Sequence, residues 1–354
     1  MGADTVAPIQ QRVMEFVRSY FQPGYNHFNV VKLVGDASSR QYYRYFQDDG
    51  TSWILAAYPE PFDAACFPFL EIHRLLDRIG VPVPRIYRVA GELGVVLQED
   101  LGDESLQRRL RNTSAAEALG WFRQAVDHIV RMQTAGTRSF SPECAGYHVA
   151  FDEAKLTWEF DFFRKYFLNA YRGCGDWADP DLVAECARIS RELAGYPRVF
   201  CHRDFHVRNL MVKDERLFVI DFQDARWGPP TYDLVSLLKD SLELHASLQQ
   251  ELTGYYLERI GEEQFAGLPA ELFSPGPFER QFHLMAIQRL LKALGTYGYQ
   301  IQVRGNFIYE QYIPGSLHRA LESLVWTGEF PVLQRVVGRE LRALSPDRTS
   351  VFSQ

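Results

Sequence analysis

Three oxygen-bearing side chains, Asp204, Asn209 and Asp221, have the types and the spacing that chemistry on phosphate groups requires. A phosphoryl acceptor needs a base for its hydroxyl proton, and Mg²⁺ bound to nucleotide phosphates takes oxygen ligands from the protein. We predict that Asp204 is the base and that Asn209 and Asp221 bind Mg²⁺. His202, which begins the same loop, is expected to pack beneath it and to hydrogen-bond backbone groups. The pattern favours a kinase.

The residues between Asn209 and Asp221 predict how these two side chains meet. Two apolar, β-prone runs at 210–212 and 217–220 flank the polar turn Lys213-Asp214-Glu215-Arg216, which is the pattern of a hairpin. Because a hairpin returns the chain to the point where it began, we expect Asn209 to lie beside Asp221.

Longer motifs around these residues resemble the aminoglycoside phosphotransferase family of small-molecule kinases. The resemblance spans about residues 30 to 320 and is carried by Gly35-Asp36-Ala37-Ser38-Ser39-Arg40, Gln98-Glu99-Asp100-Leu101-Gly102-Asp103, residues 202–209, Asp221-Phe222-Gln223-Asp224-Ala225, Gly228-Pro229, Tyr232-Asp233-Leu234 and Gln288-Arg289-Leu290-Leu291-Lys292. It implies a bilobal α+β fold like that of protein kinases, with a small β-rich N-terminal lobe and a larger helical C-terminal lobe. It also implies ATP and Mg²⁺ as cofactors. Within the family, these motifs are most similar to those of kinases that phosphorylate the C1 hydroxyl of N-acetylmuramate and N-acetylglucosamine in peptidoglycan recycling.

The length of 354 residues is large for one hydrophobic core, so two lobes are expected. We place a nucleotide-binding lobe at 1–99, a hinge at 100–103, a helical lobe with the catalytic loop and acceptor site at 104–345, and a flexible tail at 346–354. Hydrophobic periodicity predicts strands at 30–34, 41–46, 53–58 and 95–99, and helices near 8–22, 67–79, 115–134, 153–171, 180–194, 231–260, 278–297 and 315–326.

The nucleotide is expected between the first two strands and the hinge. The turn at 35–40 exposes backbone N–H groups, and Ser38 and Ser39 add hydroxyl donors toward phosphate. At the hinge, residues Gln98, Glu99 and Leu101 are predicted to meet the adenine edge.

The third strand, at 54–58, contains no lysine, although protein-kinase-like folds usually place a phosphate-binding lysine there. A cation must then come from elsewhere, and Arg40 and Arg44 are the candidates because a guanidinium offers paired donors to phosphate. Glu71, in the following helix, stands where this fold keeps a glutamate that orients such a cation.

The acceptor is expected to contact His206, Arg208, Asp224 and Arg289. A cation at position 208 would suit an acidic acceptor, and the alternative is that Arg208 pairs with a carboxylate such as Asp224. Asp233 is expected to brace the catalytic loop. The aromatic segment at 158–163 either walls the acceptor pocket or packs in the core.

The net charge of −7 and the isoelectric point near 5.8 argue against nucleic-acid or membrane-surface binding. The five cysteines include no C-x-x-C pair and suit reduced thiols. The sequence shows neither a leader pattern nor an apolar run of about 18 residues. We therefore expect a cytoplasmic monomer whose partners are ATP and a small sugar.

Two other functions remain open at this point. An antibiotic or amino-alcohol kinase would use the same chemistry on a cationic acceptor, and such a pocket needs acidic side chains. A non-catalytic nucleotide-binding protein would explain the missing strand lysine, but Asp204, Asn209 and Asp221 are all present.

Overall fold

A computed structural model describes residues 7–21, 29–33, 40–240, 244–263 and 268–344. The predicted phosphate contacts Ser38 and Ser39 and the predicted tail at 346–354 lie outside these residues. The N-terminal lobe contains α1 (Ile9–Tyr20), β1 (Asn29–Lys32), β2 (Gln41–Phe46), β3 (Ser52–Ala57), α2 (Pro68–Arg78), β4 (Ile86–Ala90) and β5 (Val95–Glu99). Among these, β4 is an element that the sequence patterns did not predict.

The five strands form an antiparallel sheet in the order β1-β2-β3-β5-β4. Leu55 in the centre pairs with Tyr43 on one side and with Leu97 on the other, and this face packs on Val13 of α1. Since side chains alternate along a strand, Ala56 points to the opposite face, where it joins the main core together with α2. One face of the sheet is therefore closed by α1, and the other faces the rest of the molecule.

The C-terminal lobe is mostly helical. Its helices are α3 (Leu106–Arg109), α4 (Ala115–Arg131), α5 (Thr137–Ser139), α6 (Glu153–Phe162), α7 (Pro180–Gly195), α8 (Thr231–Val235), α9 (Ala246–Glu262), α10 (Pro275–Arg304), α11 (Ile313–Thr327) and α12 (Pro331–Leu344). Wider π-helical turns extend α4 to Gly136, α6 to Tyr171 and α8 to Asp240. Helix α12 was not predicted, although Leu333, Val336, Val337 and Leu341 have helical spacing and are buried.

Helix α10 runs through this lobe and packs closely against the π-helical extension of α6. A Cβ atom on Gly295 would lie 2.8 Å from the Phe163 backbone nitrogen, and Gly298 similarly contacts the backbone of Tyr166. These two glycines allow the helices to approach, which places side chains of α6 and α10 on a shared surface.

Two small antiparallel strand pairs complete the lobe: β6 (Val199–Cys201) with β9 (Arg226–Gly228), and β7 (Leu210–Lys213) with β8 (Arg216–Val219). The second pair confirms the predicted hairpin, with Leu210 opposite Val219. Asp214 and Glu215 form its two-residue turn with φ values of 50° and 55°. Positive φ at both central residues is what the twist of a tight hairpin requires.

The hairpin also contacts both sides of the hinge. Val212 N–H donates to the Glu104 carbonyl and Val219 N–H donates to the Pro82 carbonyl, each at 2.8 Å. The chain therefore has the predicted bilobal α+β fold, with a five-stranded sheet in one lobe and mostly helices in the other. Among the described helices, none combines the length and apolar character needed to cross a bilayer.

Candidate active site

The ribbon formed by β6 and β9 carries two segments of the candidate site: residues 202–209, which are the catalytic loop, and residues 221–225. Cys201, at the end of β6, pairs with Arg226, at the start of β9. Residues 202–209 follow β6 directly and residues 221–225 immediately precede β9, so the pairing brings both segments together. The ribbon is tightly packed, since a Cβ on Gly228 would lie 3.0 Å from Cys201 Sγ.

Asp233 holds the beginning of the catalytic loop. Its Oδ2 accepts the His202 N–H at 2.7 Å and its Oδ1 accepts the Arg203 N–H at 3.0 Å. Burial raises the pKa of this fully buried carboxyl, and His202 and the two N–H donors counteract part of that rise. Arg203 has a φ of 87°, an uncommon conformation for a residue with a side chain, which the two hydrogen bonds stabilise. The predicted bracing role of Asp233 is confirmed.

The imidazole of His202 connects the loop to the hairpin. Its Nδ1 accepts the Asp204 N–H at 3.3 Å, which places the ring proton on Nε2, and Nε2 lies 3.0 Å from the Ile220 carbonyl oxygen. Only 1% of the residue is exposed. Both ring nitrogens are thus used by the backbone, as predicted for a structural histidine.

Asp204 is accessible and flanked by cations. Its side chain is 28% exposed, with Lys292 Nζ 3.9 Å from Oδ1 and Arg203 Nε 3.8 Å from Oδ2. Burial alone would raise the pKa of Asp204, but Lys292 and Arg203 outweigh burial and hold the pKa well below its ordinary value. Asp204 is therefore a carboxylate at neutral pH and can accept a hydrogen bond from a hydroxyl group.

Asn209 and Asp221 meet at the open end of the hairpin, as predicted. The Ile220 N–H donates to the Asn209 carbonyl at 3.0 Å, and Asn209 Nδ2 donates to the Asp204 carbonyl at 3.0 Å. The amide nitrogen is thus used within the loop, and the amide oxygen together with the Asp221 carboxylate provides oxygen donors. Among the described residues, no group of three or more His, Cys, Asp or Glu side chains could hold a metal ion. A carboxylate and an amide oxygen suit Mg²⁺ that shares its remaining sites with nucleotide phosphates and water.

Arg40 reaches across from the N-terminal lobe to this pair. Its Nη2 donates to Asp221 Oδ1 at 2.7 Å, and its Nη1 donates to Gln223 Oε1 at 2.7 Å. Burial alone would raise the pKa of Asp221, but the hydrogen bond from Gln223 and the charge of Arg40 lower it below its ordinary value. Arg40 is therefore a cation beside a candidate metal ligand, where phosphate would also lie.

Arg44 has different partners. Its Nε lies 2.7 Å from Asp100 Oδ2 and its Nη2 lies 2.9 Å from Asp103 Oδ1. Both carboxylates belong to the hinge, so the structure shows Arg44 in a hinge contact, and its predicted phosphate contact stays a prediction. Glu71 also differs from expectation, since its Oε2 accepts the Ala145 N–H at 2.9 Å.

The residues predicted to contact adenine lie at the end of β5 and in the hinge. Gln98 and Leu101 are buried. The Glu99 carboxylate binds Lys213, with Oε1 2.6 Å from Nζ, and Nζ also donates to the Asp100 carbonyl at 3.0 Å. The Glu99 side chain is therefore engaged by the hairpin, and adenine recognition by this segment stays a prediction about its backbone.

Arg289 lies beneath the catalytic loop and is 4% exposed. Its Nη1 donates to the Arg203 carbonyl at 2.8 Å, and its Nη2 donates to Ser236 Oγ at 2.8 Å and to Asp240 Oδ2 at 3.0 Å. The guanidinium also stacks 4.5 Å from the centre of the Tyr232 ring. These contacts indicate that Arg289 positions the loop, and its predicted contact with the substrate stays a prediction.

His206 lies two residues after Asp204, and its backbone N–H donates to the Asp204 carbonyl at 3.0 Å. Burial lowers the pKa of His206 to about 4, with Asp240 partly opposing the shift and Arg208 adding to it. The imidazole is consequently neutral at physiological pH. Its predicted contact with the acceptor stays a prediction.

Arg208 and Asp224 do not form the pair that we considered as an alternative. Asp224 binds Arg203 at 3.1 Å and Arg226 at 3.6 Å, whereas the Arg208 guanidinium carbon lies 5.7 Å from the centre of the Tyr312 ring. Asp224 therefore belongs to the same charged surface as Asp204, and Arg208 lies toward α11.

Two cations of this surface, Lys155 and Arg226, were not predicted. Lys155 Nζ lies 3.6 Å from Oε1 of the buried Glu159, whose Oε2 accepts a hydrogen bond from Gln288 Nε2 of α10 at 2.7 Å. The spacing of Lys155 and Glu159 is visible in the sequence, but pairs four residues apart usually lie on exposed helix faces. Trp158, which we considered as a wall of the acceptor pocket, is 54% exposed.

Comparison with known proteins adds a family and two relatives. A family model described as "Phosphotransferase enzyme family" matches residues 29–269. An N-acetylmuramate/N-acetylglucosamine kinase from Pseudomonas aeruginosa is 34% identical over 281 residues, which cover 76% of this chain and 75% of that protein. A protein of the same name from Neisseria meningitidis is 30% identical over 302 residues, covering 82% and 84%.

Solved structures share the fold at low sequence identity. An amicoumacin kinase in complex with AMP-PNP and Ca²⁺ aligns with a TM-score of 0.59 at 15% identity, covering 88% of this chain and 93% of that one. This likeness extends over both lobes.

Proposed function

Because the chain belongs to the phosphotransferase enzyme family, we propose that it is an ATP-dependent kinase that phosphorylates the C1 hydroxyl of N-acetylmuramate and N-acetylglucosamine. The observation that carries this proposal is the Asp204 carboxylate, kept anionic by Lys292 and Arg203 beside the pair Asn209 and Asp221. The names of the two relatives supply the acceptor. The sugar 1-phosphate would return to peptidoglycan precursor synthesis in the cytoplasm.

In the proposed reaction, the C1 oxygen forms a bond to the γ-phosphorus of ATP while the bond from that phosphorus to the β,γ-bridging oxygen breaks. ADP leaves with the bridging oxygen, and the hydroxyl proton passes to Asp204. Since the pKa of Asp204 lies below its ordinary value, we expect this carboxylate to act chiefly by orienting the hydroxyl group.

The nucleotide would lie between the hinge and the hairpin. Asn209 and Asp221 would hold Mg²⁺, which when bound neutralises charge on the phosphates. Arg40 would exchange its contact with Asp221 for one with phosphate oxygens, because a guanidinium donates to two oxygens at once. The hinge backbone around Leu101 would receive the adenine.

The position of the new phosphate tests this proposal directly. Purified protein would be incubated with ATP, Mg²⁺ and N-acetylmuramate or N-acetylglucosamine, and the product examined by proton and phosphorus NMR. We expect phosphorus coupled to the anomeric proton with both sugars, and loss of the product with Asp204→Asn. Phosphate on C6, or transfer to kanamycin with no transfer to either sugar, would contradict the proposal.

A further inference from the structure

Four cationic side chains from separate elements form one group, and two of them pair with Asp204. Arg203 of the catalytic loop and Lys292 of α10 form the two ion pairs with its carboxylate. Lys155 of α6 and Arg226 of β9 complete the group. Burial lowers the pKa of Lys155, and the charge of Glu159 opposes that change. The charges of Arg203, Arg226 and Lys292 lower the pKa of Lys155 further. The four cations therefore interact electrostatically with one another.

The neighbouring carboxylates do not neutralise this group. Glu159, which is 1% exposed, lies 3.6 Å from Lys155. Asp224 is shared between Arg203 at 3.1 Å and Arg226 at 3.6 Å. Together with Asp204, three carboxylates face four cations, and the nearby Arg289 and Asp240 pair with each other at 3.0 Å and leave this balance unchanged. An additional anion at this surface would consequently be stabilised.

Lys155 and Arg226 are the two cations of the group that do not contact the base. The Lys155 side chain is 28% exposed, and its ammonium lies 4.0 Å from the centre of the Trp158 ring. The Arg226 guanidinium carbon lies 5.4 Å from the centre of the Phe151 ring, and the side chain is 12% exposed. Each cation is thus held in place by an aromatic ring and a carboxylate, and each keeps some exposure.

We infer that Lys155 and Arg226 bind the carboxylate of an acidic substituent on the acceptor sugar, an inference that rests on the proposed function. N-acetylmuramate carries such a group in its lactyl ether, and N-acetylglucosamine has a neutral hydroxyl at the same carbon. The two side chains would determine how strongly the enzyme prefers the acidic sugar, while the reacting hydroxyl lies at Asp204.

The arginines predicted from the sequence are less suited to this role. Arg289 is 4% exposed, and its guanidinium binds the catalytic loop and Asp240. The Arg208 guanidinium carbon lies 5.7 Å from the centre of the Tyr312 ring, and its charge contributes to the pKa shifts of Asp240 and Tyr297. The cations that chiefly lower the pKa of Lys155 are Arg203, Arg226 and Lys292.

The test compares three acceptors: N-acetylmuramate, its methyl ester and N-acetylglucosamine. The ester keeps the size of the lactyl group and removes its charge. For Lys155→Met we expect the ratio of kcat/KM for N-acetylmuramate to kcat/KM for N-acetylglucosamine to fall about tenfold to a hundredfold, the usual range for losing a charged hydrogen bond. Lys155→Arg should restore most of the ratio.

Lys165→Met is the matched control, because Lys165 also lies over the ring of a nearby aromatic residue, Tyr166, at 5.0 Å.

The outcomes separate this inference from the proposed function. If the wild type phosphorylates neither sugar, the proposed function fails, and the inference fails with it. If it phosphorylates both sugars but Lys155→Met leaves their ratio within the range of Lys165→Met, only the inference fails. The wild type provides a test that needs no variant, since equal kcat/KM for the acid and its methyl ester would overturn the inference as well.

Discussion

Arg40 Nη2 lies 2.7 Å from Asp221 Oδ1, so a cation of the N-terminal lobe contacts a carboxylate of the C-terminal lobe across the cleft. The side chain of Arg40 is 14% exposed and that of Asp221 is 39% exposed. The contact therefore lies where solutes can reach it. It supports the proposal that Arg40 takes the place of the missing strand lysine at the phosphates.

We expect Arg40→Met to lower kcat/KM for ATP about tenfold to a hundredfold, because the variant loses charged hydrogen bonds to phosphate. Arg44→Met, on the strand that begins directly after Arg40, is the matched control. It should lower the free energy of unfolding through loss of its pairs with Asp100 and Asp103, with a smaller effect on kcat/KM. Steady-state kinetics with varied ATP would measure both, and an equal loss in the two variants would speak against the role of Arg40.

Asp204→Asn should lower kcat by about 10²–10⁴, the usual contribution of a positioned acid or base. The amide keeps the shape of the carboxylate and loses the negative charge that accepts the hydroxyl proton. Nucleotide affinity, measured by calorimetry, should change little, because Asn209 and Asp221 remain. Full turnover in the folded variant would show that another group serves as the base.

Asp233→Ala should destabilise the protein by roughly 2–6 kcal/mol, since it leaves two buried N–H groups without an acceptor at about 1–3 kcal/mol each. Urea denaturation would measure the loss. Asp179→Ala provides the comparison, because Asp179 caps α7 through the N–H of Asp181 and such a cap contributes about 1 kcal/mol. Similar losses in the two variants would contradict the bracing role.

The pH dependence of stability should reflect His206. Burial lowers its pKa from the ordinary 6.5 to about 4 in the folded protein, so the unfolded chain binds more protons between these values. The free energy of unfolding should consequently decrease as the pH falls from 6.5 toward 4. Burial also lowers the pKa of His128 to about 4, so His206→Gln should remove only part of this slope.

Denaturation series across this pH range would compare the wild type with His206→Gln. The stabilising ionisation of Asp204 is lost only below its ordinary pKa of 3.8, so it does not contribute to the same window. Identical slopes in the two proteins would show that His206 does not become buried and neutral on folding.

Features set by neighbouring residues were predictable from the sequence. The hairpin at 210–219 followed from two apolar runs and a polar turn, and its closure placed Asn209 next to Asp221. The conformation of the turn was not predictable in the same way, because Asp214 and Glu215 adopt positive φ although neither is a glycine. Short-range patterns thus predicted that Asn209 and Asp221 lie side by side more reliably than they predicted the backbone conformation between them.

Features set by distant partners were not predictable. Arg44 binds Asp103 across 59 residues, and Arg289 binds the Arg203 carbonyl across 86 residues. The choice of partner depends on how helices and strands pack, and a single sequence does not encode that choice locally. For the same reason the position of Lys155 was not predictable, because it depends on how α6 packs against α10.

The ion pairs of Arg44 have a mechanical consequence. They fasten β2 to Asp100, and Ser52 Oγ of β3 also donates to Asp100 Oδ2 at 2.7 Å, so both strands are attached to the hinge. Arg40 immediately precedes β2 and would travel with it, whereas Asp221 belongs to the opposite lobe. The distance between Arg40 and Asp221 should therefore change whenever the angle between the two lobes changes.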